Sequence, residues 1–230
     1  MNRTRSLVIA VGFVVLGLVI PLASAPDLSR YRVYVLDSTL DAVVSASGAR
    51  SADAKTLHTR PATIQELEWR APYVGSRATL VDPVREIVFS FYNDALYQIV
   101  VNYDRDRTEG LTNADIIESI SATYGIPALL SPAIRANPPR EAFPDSIVLA
   151  RWQNDEAALT LVRGTYTTEF QLILTSTRLG AQARSAIKEA VRLDAIEAPR
   201  RQADLLKKEA SDATAARDQK RTANKAAFRP

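Results

Sequence analysis

The most charged short run in the chain is Asp104-Arg105-Asp106-Arg107-Thr108-Glu109-Gly110. Asp104, Asp106 and Thr108 alternate as oxygen donors do in loops that hold a hard cation. An EF-hand loop needs Gly at its sixth position and Glu at its twelfth. Counted from Asp104, those positions are Glu109 and Asp115. Arg105 and Arg107 offset the carboxylates, so the opposing reading is a solvated turn whose charges pair among themselves. Asp104, Asp106 and Thr108 are the candidate cation set; no resident metal and no cofactor is expected.

Two carboxylate pairs, Glu66/Glu68 and Asp155/Glu156, have the groups for acid–base work. On a strand Glu66 and Glu68 share one face while Leu67 and Trp69 take the other, so the pair is expected to face water. His58 is the one histidine. It sits in a polar stretch, and the chain has no G-x-S-x-G elbow to supply a nucleophile. The absence of cysteine removes disulfides, thiolate chemistry and Cys-based metal sites. No catalytic residue is assigned.

The aromatic resource is Trp69, Tyr73, Tyr92, Tyr97, Tyr103 and Trp152. Buried, such residues are core; exposed together, they make a partner-binding patch. Trp69, Tyr97, Tyr103 and Trp152 are the partner-binding candidates. A strict two-residue strand period places Tyr97 and Tyr103 on one face with Ile99 and Val101, and sets Phe89 beside Phe91.

These residues need elements to hold them. Residues 31–36 alternate and predict a strand. A helix follows, capped by Asp37 or Ser38, with Leu40, Val43 and Val44 on one face and Gly48 ending it. Residues 49–62 read as a loop, 64–70 as a half-buried strand and 71–83 as a connection. Residues 86–103 are the clearest signal: two β-rich runs flank Asn93-Asp94, a pair that tolerates left-handed backbone. Thr112-Asn113 opens a second helix with the stripe Ile116, Ile117 and Ile120, closed by Gly125. Residues 126–145 carry five prolines and read as a connector. Strands are expected at 147–152, 157–162 and 169–175. A helix over 179–196 has the stripe Leu179, Ala183, Ile187 and Val191. Pro199 is expected to interrupt it, with a further helix over 202–210 and a frayed end.

The order strand, helix, glycine, loop, Trp strand and hairpin recurs, with Gly48 matching Gly125 and Trp69 matching Trp152. The expected fold is therefore α+β: two tandem units of helix plus antiparallel β-hairpin, followed by a C-terminal helical tail. The units fall at 26–110 and 111–178, and the helical, partly disordered tail at 179–230. The hairpin reads Phe89-x-Phe91-x-Asn93-Asp94-x-Leu96-x-x-Ile99-x-Val101. With the Gly-ended helix and the Trp strand, it resembles the SmpA/BamE-like and β-lactamase-inhibitor-like modules, mainly over residues 36–103. That resemblance implies a small exported α+β protein that binds other proteins. The chain departs from the assembly lipoproteins in lacking a lipid-bearing cysteine.

Arg3 and Arg5 precede an apolar run from Leu7 to Leu22, and Ala23-Ser24-Ala25 reads as a small-x-small cleavage site. Residues 1–25 are expected to be a signal peptide or a signal anchor, with membrane attachment through residues 7–22 in the second case. Pro26, just past the scissile bond, favours retention. Both readings place the body outside the cytoplasm, periplasmic or secreted, or held at the inner membrane. Residues 26–178 carry 15 Lys/Arg against 19 Asp/Glu, and residues 179–230 carry 12 against 7. An acidic body with a mixed basic tail lacks the dense positive stripe that nucleic acid requires. The function expected is a non-catalytic envelope protein that binds another envelope protein through a sheet face or its tail. The alternatives are a small-ligand binder or enzyme with a cleft between the units, and a membrane-anchored structural protein.

Overall fold

The β-branched and aromatic runs of the sequence become strands, and almost all of them join one sheet. The computed structural model describes residues 27–71, 82–167, 169–227 and 229; residues 1–25, with the expected leader and cleavage site, and Tyr73 lie outside them. Residues expected to form one strand instead fold back on themselves. Arg30–Tyr31 (β1) pairs antiparallel with Tyr34–Val35 (β2), because Arg32 adopts a positive φ of 55° and turns the chain. Leu40–Ser47 (α1) follows, capped by Thr39, whose side chain accepts from the Ala42 amide. The cap is one residue later than expected, since Ser38 Oγ donates to the Val35 carbonyl instead. Gly48 closes α1 at a left-handed φ of 71°, where a Cβ would strain the backbone.

Lys55–His58 (β3) is a short strand inside the segment expected to be a loop. Ile64–Arg70 (β4), Val84–Tyr92 (β5) and Ala95–Tyr103 (β6) follow as a meander. Asn93 and Asp94 have φ of 46° and 69°, the conformation that a two-residue turn between twisted strands requires. Asn113–Tyr124 (α2) opens with a capping box: Thr112 accepts from the Asp115 amide, and Asp115 accepts from Thr112. A short helix, Pro132–Ala136 (α3), lies in the proline-rich connector. Ser146–Gln153 (β7), Ala157–Gly164 (β8) and Phe170–Ser176 (β9) complete the strands. Thr177–Ala227 (α4) ends the chain.

The expected architecture of two tandem helix–hairpin units is not what forms. The strands make one seven-stranded antiparallel sheet in the order β3-β4-β5-β6-β9-β8-β7, with β1 and β2 as a separate hairpin and α4 as one long helix. The seam is β6 against β9, from Gln98 opposite Thr175 to Asn102 opposite Gln171. A separated hairpin would leave these backbone groups as an open edge and Ile99, Val101, Leu172 and Leu174 without full cover. Pairing solves both problems, and the two halves share one core.

One face of the sheet carries Leu67, Phe89, Phe91, Ile99, Leu159, Leu161 and Leu172, all essentially inaccessible. The β1–β2 hairpin, α1 and α2 cover it through Tyr34, Val43, Ile120 and Tyr124. Each such large side chain contributes about 1.5–3 kcal/mol on burial. Trp152 on β7 is part of this core and donates from Nε1 to the Gly125 carbonyl at 2.7 Å, tying the edge strand to the end of α2.

The opposite face is covered by the connector and the first turns of α4. Leu179 and Ala183 pack on Ile64 and Tyr97; Leu130 and Ala142 pack near Val100, Val148, Val162 and Ile173. The buried stripe of α4 is Leu179, Ala183, Ala186 and Ala190; the expected Ile187 packs partly buried against the Leu179–Ala183 cluster, whereas the expected Val191 is 57% exposed. Spacing of four and three keeps small residues against the sheet, whereas repeated steps of four drift round the helix.

Nor does Pro199 end the helix. A buried proline at mid-helix costs about 3 kcal/mol or more because it strips a hydrogen bond and clashes with the previous turn. Here the site is exposed, so water reaches the freed carbonyl. Arg201 braces the same turn, donating to the Asp194 carbonyl at 3.4 Å and its carboxylate at 3.2 Å. Beyond Glu197, which pairs with Arg60, every described residue of α4 is exposed. The expected break and frayed end are thus replaced by a continuous helix. Residues 198–227 stand off the sheet for about 45 Å.

Candidate functional site

The charged run around Asp104 is an internally bonded turn. Asp104 Oδ1 accepts from the Arg107 amide at 3.1 Å. Thr108 is buried, and its hydroxyl donates to the carbonyls of Asp104 at 2.9 Å or Arg105 at 3.3 Å. Thr108 therefore faces the turn's own carbonyls, and Asp106 is exposed. Among the described residues no group of three or more His, Asp or Glu is placed to hold a metal ion.

Glu66 and Glu68 share a face, as the strand period requires, and sit opposite Ser90 and Val88. Glu66 is half-buried, and burial is the main reason its carboxyl titrates above the usual range. Glu68 is exposed and held below that range, first by a hydrogen bond with Glu86 and then by Arg70. Asp155 and Glu156 are exposed in the β7–β8 turn, and His58 is half-buried at the end of the edge strand β3. No nucleophile–base pair results.

The four aromatic candidates do not form a contact face. Trp152 and Tyr97 are buried, and Trp69 and Tyr103 are half-buried. A bulge separates two of them: Ser90 opposes Gln98 but Phe91 opposes Leu96, so Tyr97 is the extra residue. It turns Tyr97 to the α4 side with Ile64 and Leu179, while Tyr103 stays with the main core. Burial pushes the Tyr97 hydroxyl up to about 12. Tyr103 is raised well above its ordinary value, also by burial.

Three features were missed at the level of sequence. The first is a polar relay across four strands on the second face. The Phe143 amide donates to Gln171 Oε1 at 3.2 Å, Gln171 Nε2 to Asn102 Oδ1 at 2.8 Å, and Asn102 Nδ2 to Glu86 Oε2 at 2.7 Å. Arg70 then pairs with Glu86 at 3.2 Å. Gln171 is 3% exposed and Asn102 6%, so the relay anchors the connector to the sheet inside a dry layer.

The second is a cleft of about 340 Å³ between the connector and the start of α4. Gln98, Thr160 and Thr175 form a polar part of its wall, and Arg140, Arg151 and Arg184 line it with Glu141. Arg151 stands directly opposite Thr160 across β7 and β8.

The third is an apolar groove of about 600 Å³ along β7, lined by Ile117, Pro132, Ala136, Ile147 and Leu149. Ile147 is 45% exposed; on the connector beside β7, Ile126 is 95% exposed and Leu129 fully so. The Ala128 amide donates to the Arg151 carbonyl at 2.7 Å, which fixes the connector against the outer edge of this strand. The sequence signal available for the second and third features was the connector itself: many prolines interleaved with isolated large apolar residues.

No protein-family model, curated protein or solved structure matches the chain. Among the described residues no helix is long and apolar enough to cross a membrane.

Proposed function

We propose that the protein is a non-catalytic adaptor of the cell envelope that binds another protein along the β7 side of its sheet. The observation that carries this reading is the set of large apolar side chains left in water there. Ile126 and Leu129 stand exposed on the connector that runs against β7, and Ile147, on the same strand, lines a groove with Ile117 and Leu149. Isolated exposed apolar residues are ordinary, but several on one edge beside an apolar groove are the pattern of a protein contact. The groove has few polar groups to orient a reacting molecule, which favours contact over chemistry. The leader, with Arg3 and Arg5 ahead of an apolar run, supports placement of the body outside the cytoplasm.

The test is affinity capture from the envelope fraction with three baits: the full chain, Leu129→Lys/Ile147→Lys, and a chain ending at residue 198. Ending the chain there spares Leu179 and Ala183, which belong to the folded body. The reading expects a partner recovered by the full chain and the shortened chain and lost with the double lysine variant. Equal recovery with the lysine variant refutes it. Recovery of the full chain from the cytosol in uncleaved, soluble form refutes the location.

A further inference from the structure

We propose that the cleft between the connector and the start of α4 binds a phosphate group carried on a small molecule. The inference is independent of the adaptor reading and concerns a different set of residues.

The argument begins with unpaired charge. Arg60, Arg70, Arg85 and Arg178 each hold a carboxylate. Arg140, Arg151 and Arg184 hold none among the described residues, yet all three line one cleft. They come from three elements: the connector, β7 and α4. Glu141 is the carboxylate among the lining residues, and it forms no ion pair within 4 Å among the described residues, so the cleft keeps an excess of positive charge. Arg151 adds a sharper fact: the residue is half-buried, and its Nε is shielded from solvent with no hydrogen-bond partner among the described residues. A buried cationic donor without an acceptor costs free energy that an anion would recover.

The walls fit the same ligand. Gln98 Nε2 donates to Thr175 Oγ1 at 3.0 Å, so the Thr175 hydroxyl proton is free to be donated elsewhere. Thr160, 5% exposed, offers a second hydroxyl beside Arg151. Ser176 and Thr177 bring the start of α4 to the lip, where the helix dipole favours negative charge; the Thr177 amide itself donates to the Glu156 carbonyl at 2.8 Å and the Leu179 amide to Ser176 Oγ at 3.3 Å. Gly180 lets that end of α4 sit close: a Cβ there would come 2.7 Å from Thr175 Cγ2 and 3.4 Å from Arg184 Nη1. The second distance also shows that the Arg184 guanidinium folds back over the first turn of α4. Pro138, Pro139 and Ile173 supply an apolar part for the body of the ligand. The volume, about 340 Å³, suits a phosphate on a body of ring size.

The experiment titrates the full chain with phenyl phosphate and with inorganic phosphate at constant ionic strength, against chloride, by calorimetry and thermal melting. A parallel arm measures retention on vesicles containing phosphatidic acid against phosphatidylcholine alone, which separates a lipid headgroup from a soluble phosphate. The expected result is saturable binding in one arm, weakened at least about tenfold by Arg184→Gln and by Arg151→Gln. Arg184 is exposed, so its variant keeps the wild-type melting temperature in chloride and decides the matter if Arg151→Gln does not fold. Absence of saturable binding in both arms, or Arg184→Gln binding as wild type does, overturns the proposal.

Discussion

Asn102 is the residue whose loss should be felt most for its size. It accepts from Gln171 at 2.8 Å and donates to Glu86 at 2.7 Å, in a layer where Gln171 is 3% exposed. Asn102→Ala leaves the Gln171 amide without an acceptor, at a cost of about 1–3 kcal/mol for a buried unsatisfied donor. Glu86 loses one donor but keeps Arg70 at 3.2 Å, which limits its share to about 1 kcal/mol. The sum is about 2–4 kcal/mol, read as a lower urea midpoint at unchanged slope, with the fluorescence of Trp69 and buried Trp152 as the reporter. Asn102→Asp keeps the acceptor for Gln171 but sets a carboxyl against Glu86. Two such carboxyls share a proton, so their joint titration in the folded state is raised above the unfolded one. A raised pKa means stability that is present at low pH and lost as pH rises through the folded value. The aspartate variant should therefore be weakest at neutral pH and recover towards wild type on acidification. A loss below about 1 kcal/mol in the alanine variant, or a pH-independent loss in the aspartate variant, refutes the relay as a stabilising feature.

Glu66→Gln should raise stability at pH 7, because burial holds the Glu66 carboxyl above its ordinary value and its ionised form is the disfavoured one. That gain should vanish as pH falls below about 4.5, where wild-type Glu66 is protonated; a stabilisation that persists in acid speaks against it. Asp82 has the opposite sign: the Arg32 hydrogen bond holds its carboxyl down, so its contribution is present above the unfolded value and lost as pH falls through the folded one. Arg32→Ala should cost no more than about 1 kcal/mol near neutrality, the two groups being partly exposed, and nothing once Asp82 is protonated. Leu179→Ala should cost about 2–4 kcal/mol in chemical denaturation, since Leu179 is 4% exposed beneath the first turns of α4. Ending the chain at residue 198 should leave the melting temperature of the body within about 1 °C; a larger fall shows that the distal helix packs on something.

Much of the local structure was legible. The hairpin around Asn93-Asp94, both glycine-ended helices and the strands 147–152, 157–162 and 169–175 follow from periodicity and turn chemistry that act within a few residues. The failures share a cause. Tyr97 was placed with Ile99 because a two-residue period holds only in an unbroken ladder, and the bulge is set by how β6 meets β5. Pro199 was read as a stop because its cost is local, whereas an exposed turn lets water take the freed carbonyl. Steps of four from Leu179 hold through Ala183 and Ile187 but drift off the sheet by Val191, where Ala186 and Ala190 take the contact instead.

By itself, then, the order of residues determined most of the strands, helices and turns, but not the reversal at Arg32, the short strand Lys55–His58 or the passage of α4 through Pro199. It also fixes that the chain carries no cysteine and that Arg3 and Arg5 precede an apolar run from Leu7 to Leu22. Only the tertiary structure decided that β6 pairs with β9, and hence that one sheet forms rather than two units. That same pairing brings Gln98 beside Thr175 and Asn102 beside Gln171, residues about 70 or more positions apart. Long-range contacts of this kind depend on which edges find each other and on what covers each face, and neither is written in any short window of the chain. The arginine cleft exists because a connector, an edge strand and a helix start were brought to one place.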